Sequence, residues 1–162
     1  MDFRLYDYLF FLASVLAALL LTLIPWPSLS VQYQPSWVLL ILMFWCCVAP
    51  KAMNLFWFFA IGLYQDLMLA TPLGLTALVY SMVGYVFCRL RVRVSQYPHW
   101  QQSLFVIAAS VFQIVVNAVV MHSIGYPVAF WSAWPVLLLN GLLWRGVYAM
   151  MFSIWRKRLL VY

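Results

Sequence analysis

The sequence predicts an all-α integral membrane protein with six transmembrane helices and both termini in the cytoplasm. Three observations predict it. Hydrophobic residues fill 68% of the 162 positions and charged residues 7%, against roughly 25% charge in soluble domains, and the mean hydropathy is +0.99. Apolar runs follow one another along the whole chain with short connections between them, so residues 1–162 read as a single polytopic domain. Lysine and arginine, Arg145 apart, fall at the ends of those runs, where membrane topology places them. The net charge of +6 would raise nucleic acid as a partner in a soluble chain. Distributed this way it is explained by topology, and no nucleic acid is expected.

Spans are expected over approximately 8–24, 36–50, 53–70, 73–89, 101–121 and 134–155. The first, Tyr8 to Ile24, is uncharged and as a helix of roughly 17 residues would reach about 26 Å. Pro25 and Pro27 end it with Trp26 at the interface. No small-residue cleavage site follows, so it is expected to stay as an anchor. The second, Trp37 to Ala49, is bracketed by Pro35 and Pro50 and reaches only about 20 Å, which makes it the weakest span. Either Pro35 lengthens it as a first-turn residue, or it is re-entrant.

The third segment, Met53 to Ala70, carries Asp66 near its far end, and Thr71-Pro72 turns tightly into the fourth, Leu73 to Cys88. Helices joined so closely lie side by side. Arg89, Arg91 and Arg93 follow. In the fifth segment, Gln101 to Met121, Gln113 and Asn117 share a face. Trp134 to Trp155 is the sixth, and Arg156-Lys157-Arg158 follows it. Six spans with a cytoplasmic N-terminus put Arg4, Lys51, Arg89, Arg91, Arg93, Arg156, Lys157 and Arg158 all inside and none outside. If the second segment did not cross, the best alternative would leave Arg4 outside, so six spans are preferred.

Asp66 is the only acidic residue beyond Asp7, and a charge near the centre of a spanning helix costs roughly 2.5–3.5 kcal/mol on insertion scales. Three readings are open: pairing with Arg145, a proton or ion site, or bracing of the Thr71-Pro72 turn near the outer interface. The two structural readings are favoured, because a proton relay needs further ionisable groups and none is nearby in the sequence. Arg145, between Trp144 and Gly146, has carbonyls, Asp66, an aromatic face, another protein's carboxylate, or the interface itself within its options. Gln113, Asn117 and Asn140 read as interhelical hydrogen bonds worth about 0.6 kcal/mol each. The Arg89-x-Arg91-x-Arg93 triplet is explained by topology, with anionic lipid or an acidic partner face as the alternative.

Cys46, Cys47 and Cys88 are odd in number and lack ligand spacing, so they read as small apolar fillers, with no metal and no cofactor expected. His99 and His122 are predicted on opposite sides of the membrane. No paired carboxylates and no serine with a base at matching depth assemble, so an enzyme is not expected.

Several pieces together resemble the Gram-negative type of the bacterial rod shape-determining protein MreD family. They are Leu23-Ile24-Pro25-Trp26-Pro27, Gln34-Pro35-Ser36-Trp37-Val38-Leu39-Leu40-Ile41-Leu42 and Ala49-Pro50-Lys51. They continue with Gly62-Leu63-Tyr64-Gln65-Asp66, Pro72-Leu73-Gly74, Trp100-Gln101-Gln102 and Asn140-Gly141-Leu142-Leu143-Trp144. Arg145 departs from the family pattern, in which proline follows the tryptophan. The resemblance implies a non-catalytic membrane subunit of the elongasome in the bacterial inner membrane. It implies direct binding of MreC and, in the same assembly, MreB, RodA and its class B penicillin-binding protein, with membrane lipid around it. It also implies a fold similar to the substrate-capture subunits of energy-coupling-factor transporters. Gly62, Asp66, Pro72 and Gly74 are then expected to shape a partner-binding hairpin, with Asn140 and Arg145 as further candidates and the basic residues at 89–93 and 156–158 as a cytoplasmic face. The competing class is a small-molecule carrier for a vitamin or a lipid.

Overall fold

Backbone amides that meet neither water nor a sheet partner are satisfied within one segment only by a helix, and each apolar run takes that form. The computed structural model describes residues 5–24, 34–49, 53–94, 97–125 and 134–159. They form α1 (Leu5–Leu23), α2 (Trp37–Val48), α3 (Leu55–Leu69), α4 (Leu75–Val94), α5 (His99–Ser123) and α6 (Trp134–Leu159). Among the described residues there is no strand. Helices α4 and α6 run past the expected ends through their arginines and lysines, which are good helix formers and need no apolar neighbour to propagate a turn. Arg4 and Lys51, used above for orientation, lie outside the described residues, as do Pro25 to Pro27 and Pro50.

Two stretches, Trp100–Ser123 in α5 and Trp134–Arg156 in α6, are long and apolar enough to cross a bilayer; those in the other four helices are shorter. The 12 residues of α2 make it only about 18 Å long. Pro35 does not extend α2, which begins at Trp37. Every α2 residue from Val38 to Cys46 is buried, and the helix packs against α1, α4 and α6. A helix that is apolar on all sides needs cover on all sides, and protein supplies it here. The segment that is weakest as a lipid-facing span is therefore the centre of the bundle.

Trp45 anchors that centre. Its ring meets Phe10, Phe11 and Phe44 edge-on at centroid distances of 5.6, 5.6 and 5.9 Å, contacts worth about 0.5–1.5 kcal/mol each beyond burial. Its indole N–H donates to Ser14 Oγ at 2.9 Å, which joins α1 to α2. Cys46 and Cys88 also meet across helices, with sulfurs 3.3 Å apart and no disulfide between them.

The core is apolar with a few polar residues buried in it, and the outer surface is apolar as well. Ser14, Gln65, Asp66, Thr76, Gln102, Ser110 and Asn140 are buried, whereas Leu9, Leu16, Phe56, Leu67 and Leu142 face outward. Large apolar patches of this extent are not tolerated on a monomer in water; against acyl chains they cost nothing.

Candidate functional site

The end of α3 and the start of α4 are built around one carboxyl group. Four amides at the start of any helix have no partner within it. In α4 the residue before the first turn is Gly74, which has no side chain to cap them. Asp66, one α3 turn before the hairpin and fully buried, supplies the cap from the preceding helix. Its Oδ2 accepts from the Gly74 N–H at 3.0 Å and the Ala77 N–H at 3.4 Å. The Thr76 N–H lies 3.1 Å from both oxygens, and Thr71 Oγ1 donates to Oδ1 at 2.8 Å. Each of these partners is a donor, the arrangement an acceptor-only carboxylate suits. The remaining first-turn amide, of Leu75, donates to the Pro72 carbonyl at 3.1 Å.

The backbone of the same residue ends α3. The Asp66 carbonyl accepts from Thr71 N–H at 3.1 Å and from the Ala70 N–H. Ala70 is in the left-handed region at φ 51°, and Gly74 turns the chain again at φ 92°. A glycine usually takes the first of these places. Alanine there stores a local cost that the Asp66 bonds offset.

Gly62, one turn earlier on the same face as Asp66, brings the two helices together. A Cβ on Gly62 would lie 2.5 Å from the Ala77 Cα and 2.8 Å from its nitrogen. Backbone cannot yield at that distance, so glycine is what lets α4 come within reach of the carboxylate. Gly84 repeats the device lower down, where its missing Cβ leaves room for the Phe58 ring. Between them the Tyr80 hydroxyl donates to Gln65 Oε1 at 2.8 Å, both residues buried.

A second buried junction joins three helices. Asn140 on α6 donates from Nδ2 to Ser110 Oγ on α5 at 2.9 Å, and its Oδ1 accepts the Ser36 N–H at 3.0 Å, just before α2. Ser110 Oγ donates onward to the Val106 carbonyl at 2.9 Å.

The expected site residues thus fall in separate places. Gly62, Asp66, half-buried Pro72 and Gly74 are together; Asn140 belongs to the α2–α5–α6 junction. Arg145 is exposed on α6, and the described carboxylate oxygens of Asp66 are bonded to its own hairpin, so the pairing of Arg145 with Asp66 is absent. Asn117 does not bridge helices either: its Nδ2 donates to the Gln113 carbonyl at 2.9 Å within α5. Arg89 and Arg156 are exposed, and the side chains of Arg91, Arg93, Lys157 and Arg158 lie outside the described residues. Sequence reasoning missed the Gln65–Tyr80 bond and the link from Asn140 to Ser36. Local capping rules look for a polar residue beside the helix start; a lone carboxylate eight residues before a Gly-Leu helix start was the available signal for Asp66.

Comparison with known proteins adds an independent line. The family model described as rod shape-determining protein MreD matches residues 3–158. A protein of Haemophilus influenzae named rod shape-determining protein MreD is 31% identical over 140 residues, 86% of this chain and 86% of that one. No solved structure matches the chain.

Proposed function

The chain belongs to the rod shape-determining protein MreD family, and from that membership and its geometry we propose that it is a non-catalytic membrane scaffold. In this reading it is one polytopic domain that crosses the bacterial inner membrane six times, with both termini in the cytoplasm. It binds MreC directly and, in one assembly with MreB, RodA and a class B penicillin-binding protein, helps direct lateral peptidoglycan synthesis. The family itself supports a role in rod shape determination.

The observation that carries the scaffold reading is how the buried carboxylate is used. Asp66 bonds four donor groups of its own hairpin, which is the use expected of a brace. A captured solute would instead need convergent polar groups aimed into a cavity. The result is a rigid hairpin tip bearing exposed Leu67, Leu69 and Leu73, a surface suited to packing against an apolar helix of MreC within the outer leaflet.

The test is detergent co-purification of the tagged chain with co-expressed MreC, for wild type, Asp66→Asn and Leu73→Gln, with gel filtration to follow folding. Wild type retains MreC at near-equal stoichiometry, and a folded Leu73→Gln retains less. Failure of the wild type to hold MreC in both detergent and lipid nanodiscs overturns the MreC part of the reading; a specific small molecule co-purifying at near-equal stoichiometry overturns the scaffold class.

A further inference from the structure

At the opposite end of α4 from Asp66 the packing opens. Between α4 and α5, reaching the first residue of α3 at Leu55, lies a groove of about 520 Å³. Its α4 wall runs from Ser81 to Leu90 and its α5 wall from Phe105 to Phe112, with Ala108 and Ala109 as the shallow floor. The lining is hydrocarbon and aromatic. Its one aliphatic hydroxyl, on Ser81, already donates to the Ala77 carbonyl at 2.7 Å. An occupant therefore gains nothing from polar groups along the walls and is apolar along its length.

The dimensions select the kind of occupant. From Ser81 to Leu90 is about 14 Å along the helix axis, close to half of a hydrocarbon core about 30 Å thick. A partner's transmembrane helix would call for a trough the full depth of the bilayer. A groove one leaflet deep matches a lipid chain.

The charge at the groove's end selects the lipid. Arg89 is exposed, and helical side chains lean toward the N-terminus of their helix. The guanidinium accordingly lies back over the Tyr85 ring, 5.7 Å from its centroid, with Nη2 3.4 Å from the Tyr85 hydroxyl. Tyr85 itself lines the groove. No described carboxylate pairs with Arg89, so a cation with free donors stands over the end of a leaflet-deep apolar slot. Exposed Tyr97 and Trp100 stand at the same end of the bundle, the interfacial placement of aromatic residues.

We propose that this groove is a binding site for an anionic glycerophospholipid, with one acyl chain between α4 and α5 and the phosphate on Arg89. A guanidinium matches phosphate oxygens in both charge and geometry. The site rests on the membrane reading above, and it places the lipid in the leaflet that the positive-inside rule makes cytoplasmic.

The experiment is native mass spectrometry of the full-length protein in detergent, with phosphatidylglycerol or phosphatidylcholine added in parallel. Wild type, Arg89→Gln and Ala108→Trp are compared, with circular dichroism and gel filtration as folding controls. Ala108 is exposed on the groove floor, so a tryptophan there fills the slot without entering the core. Wild type retains phosphatidylglycerol over phosphatidylcholine by roughly fivefold or more. Arg89→Gln removes that preference and leaves phosphatidylcholine retention unchanged; Ala108→Trp lowers retention of both.

Equal retention of the two lipids by wild type overturns the proposal, as does an Arg89→Gln or Ala108→Trp protein that behaves as wild type. A loss of dimers, or of a co-purifying protein, in Ala108→Trp with lipid retention intact overturns it in favour of a second copy or a partner helix in the groove. Extraction of membranes with alkaline carbonate separates the two readings. Release without detergent defeats the membrane reading and the site with it, whereas detergent dependence without lipid preference defeats the site alone.

Discussion

The two ends of α4 are built on opposite principles. At its N-terminus every first-turn amide has a partner, and a glycine brings α3 into backbone contact. At the other end α4 and α5 part around small alanines and leave a slot with the Arg89 guanidinium above it. The difference shows where rigidity comes from in a bundle with little water to exclude. Apolar contact with lipid is nearly as good as apolar contact with protein, so close packing is specified only where a directional bond or a missing Cβ demands it. Elsewhere the helices are free to separate.

Substitutions at five positions would break or sharpen that contrast. Asp66→Ala leaves several buried donors without acceptors, and at 1–3 kcal/mol for each such group after relaxation the expected loss is about 3 kcal/mol. Thermal unfolding in detergent should show it as a large drop in Tm, with Asp66→Asn intermediate because the amide keeps one accepting oxygen. An Asp66→Ala protein as stable as wild type would mean that the hairpin is held by apolar contact alone. Gly62→Ala forces the Ala77 backbone away and should cost about 2 kcal/mol, read in the same unfolding experiment and as premature aggregation on gel filtration.

Asn140→Leu should cost about 1 kcal/mol, within the measured range for interhelical hydrogen bonds in membranes, since it leaves the Ser36 amide without its acceptor. Ala70→Gly has the opposite sign. It relieves a left-handed alanine at φ 51° and should stabilise by about 1 kcal/mol, raising Tm. The smallest effect belongs to the open end, where Ala108→Leu should change stability by less than about 0.5 kcal/mol. A large loss there would show that the groove is tightly packed and the contrast between the two ends false.

Much of the architecture was legible in the chain. Apolar runs bounded by prolines, polar connections and basic residues located the six described helices to within a few residues, because charges and broken backbone are costly in hydrocarbon. The tight Thr71-Pro72 connection placed α3 beside α4. Asp66 was legible as an anomaly, and its isolation is what pointed to the hairpin. Its partners were less so: Thr76 and Ala77 read as ordinary helix residues, and only the path of the backbone turns their amides toward α3. For Arg145 the surrounding apolar run suggested burial, yet the residue faces outward. A run apolar on all sides gives no sign of which face meets protein.

The sequence by itself determined the order of the six described helices, the apolar outer surface and the position of the isolated carboxylate, since each follows from the cost of exposing polar groups to hydrocarbon. Only the tertiary structure decided that the shortest helix lies at the centre, that Asn140 ties α5 and α6 to the start of α2, and that α4 and α5 part over Ala108. These depend on which apolar face meets which. Where lipid and protein are equally good cover, a few hydrogen bonds and missing methyl groups settle that choice, and they act between residues far apart in the chain.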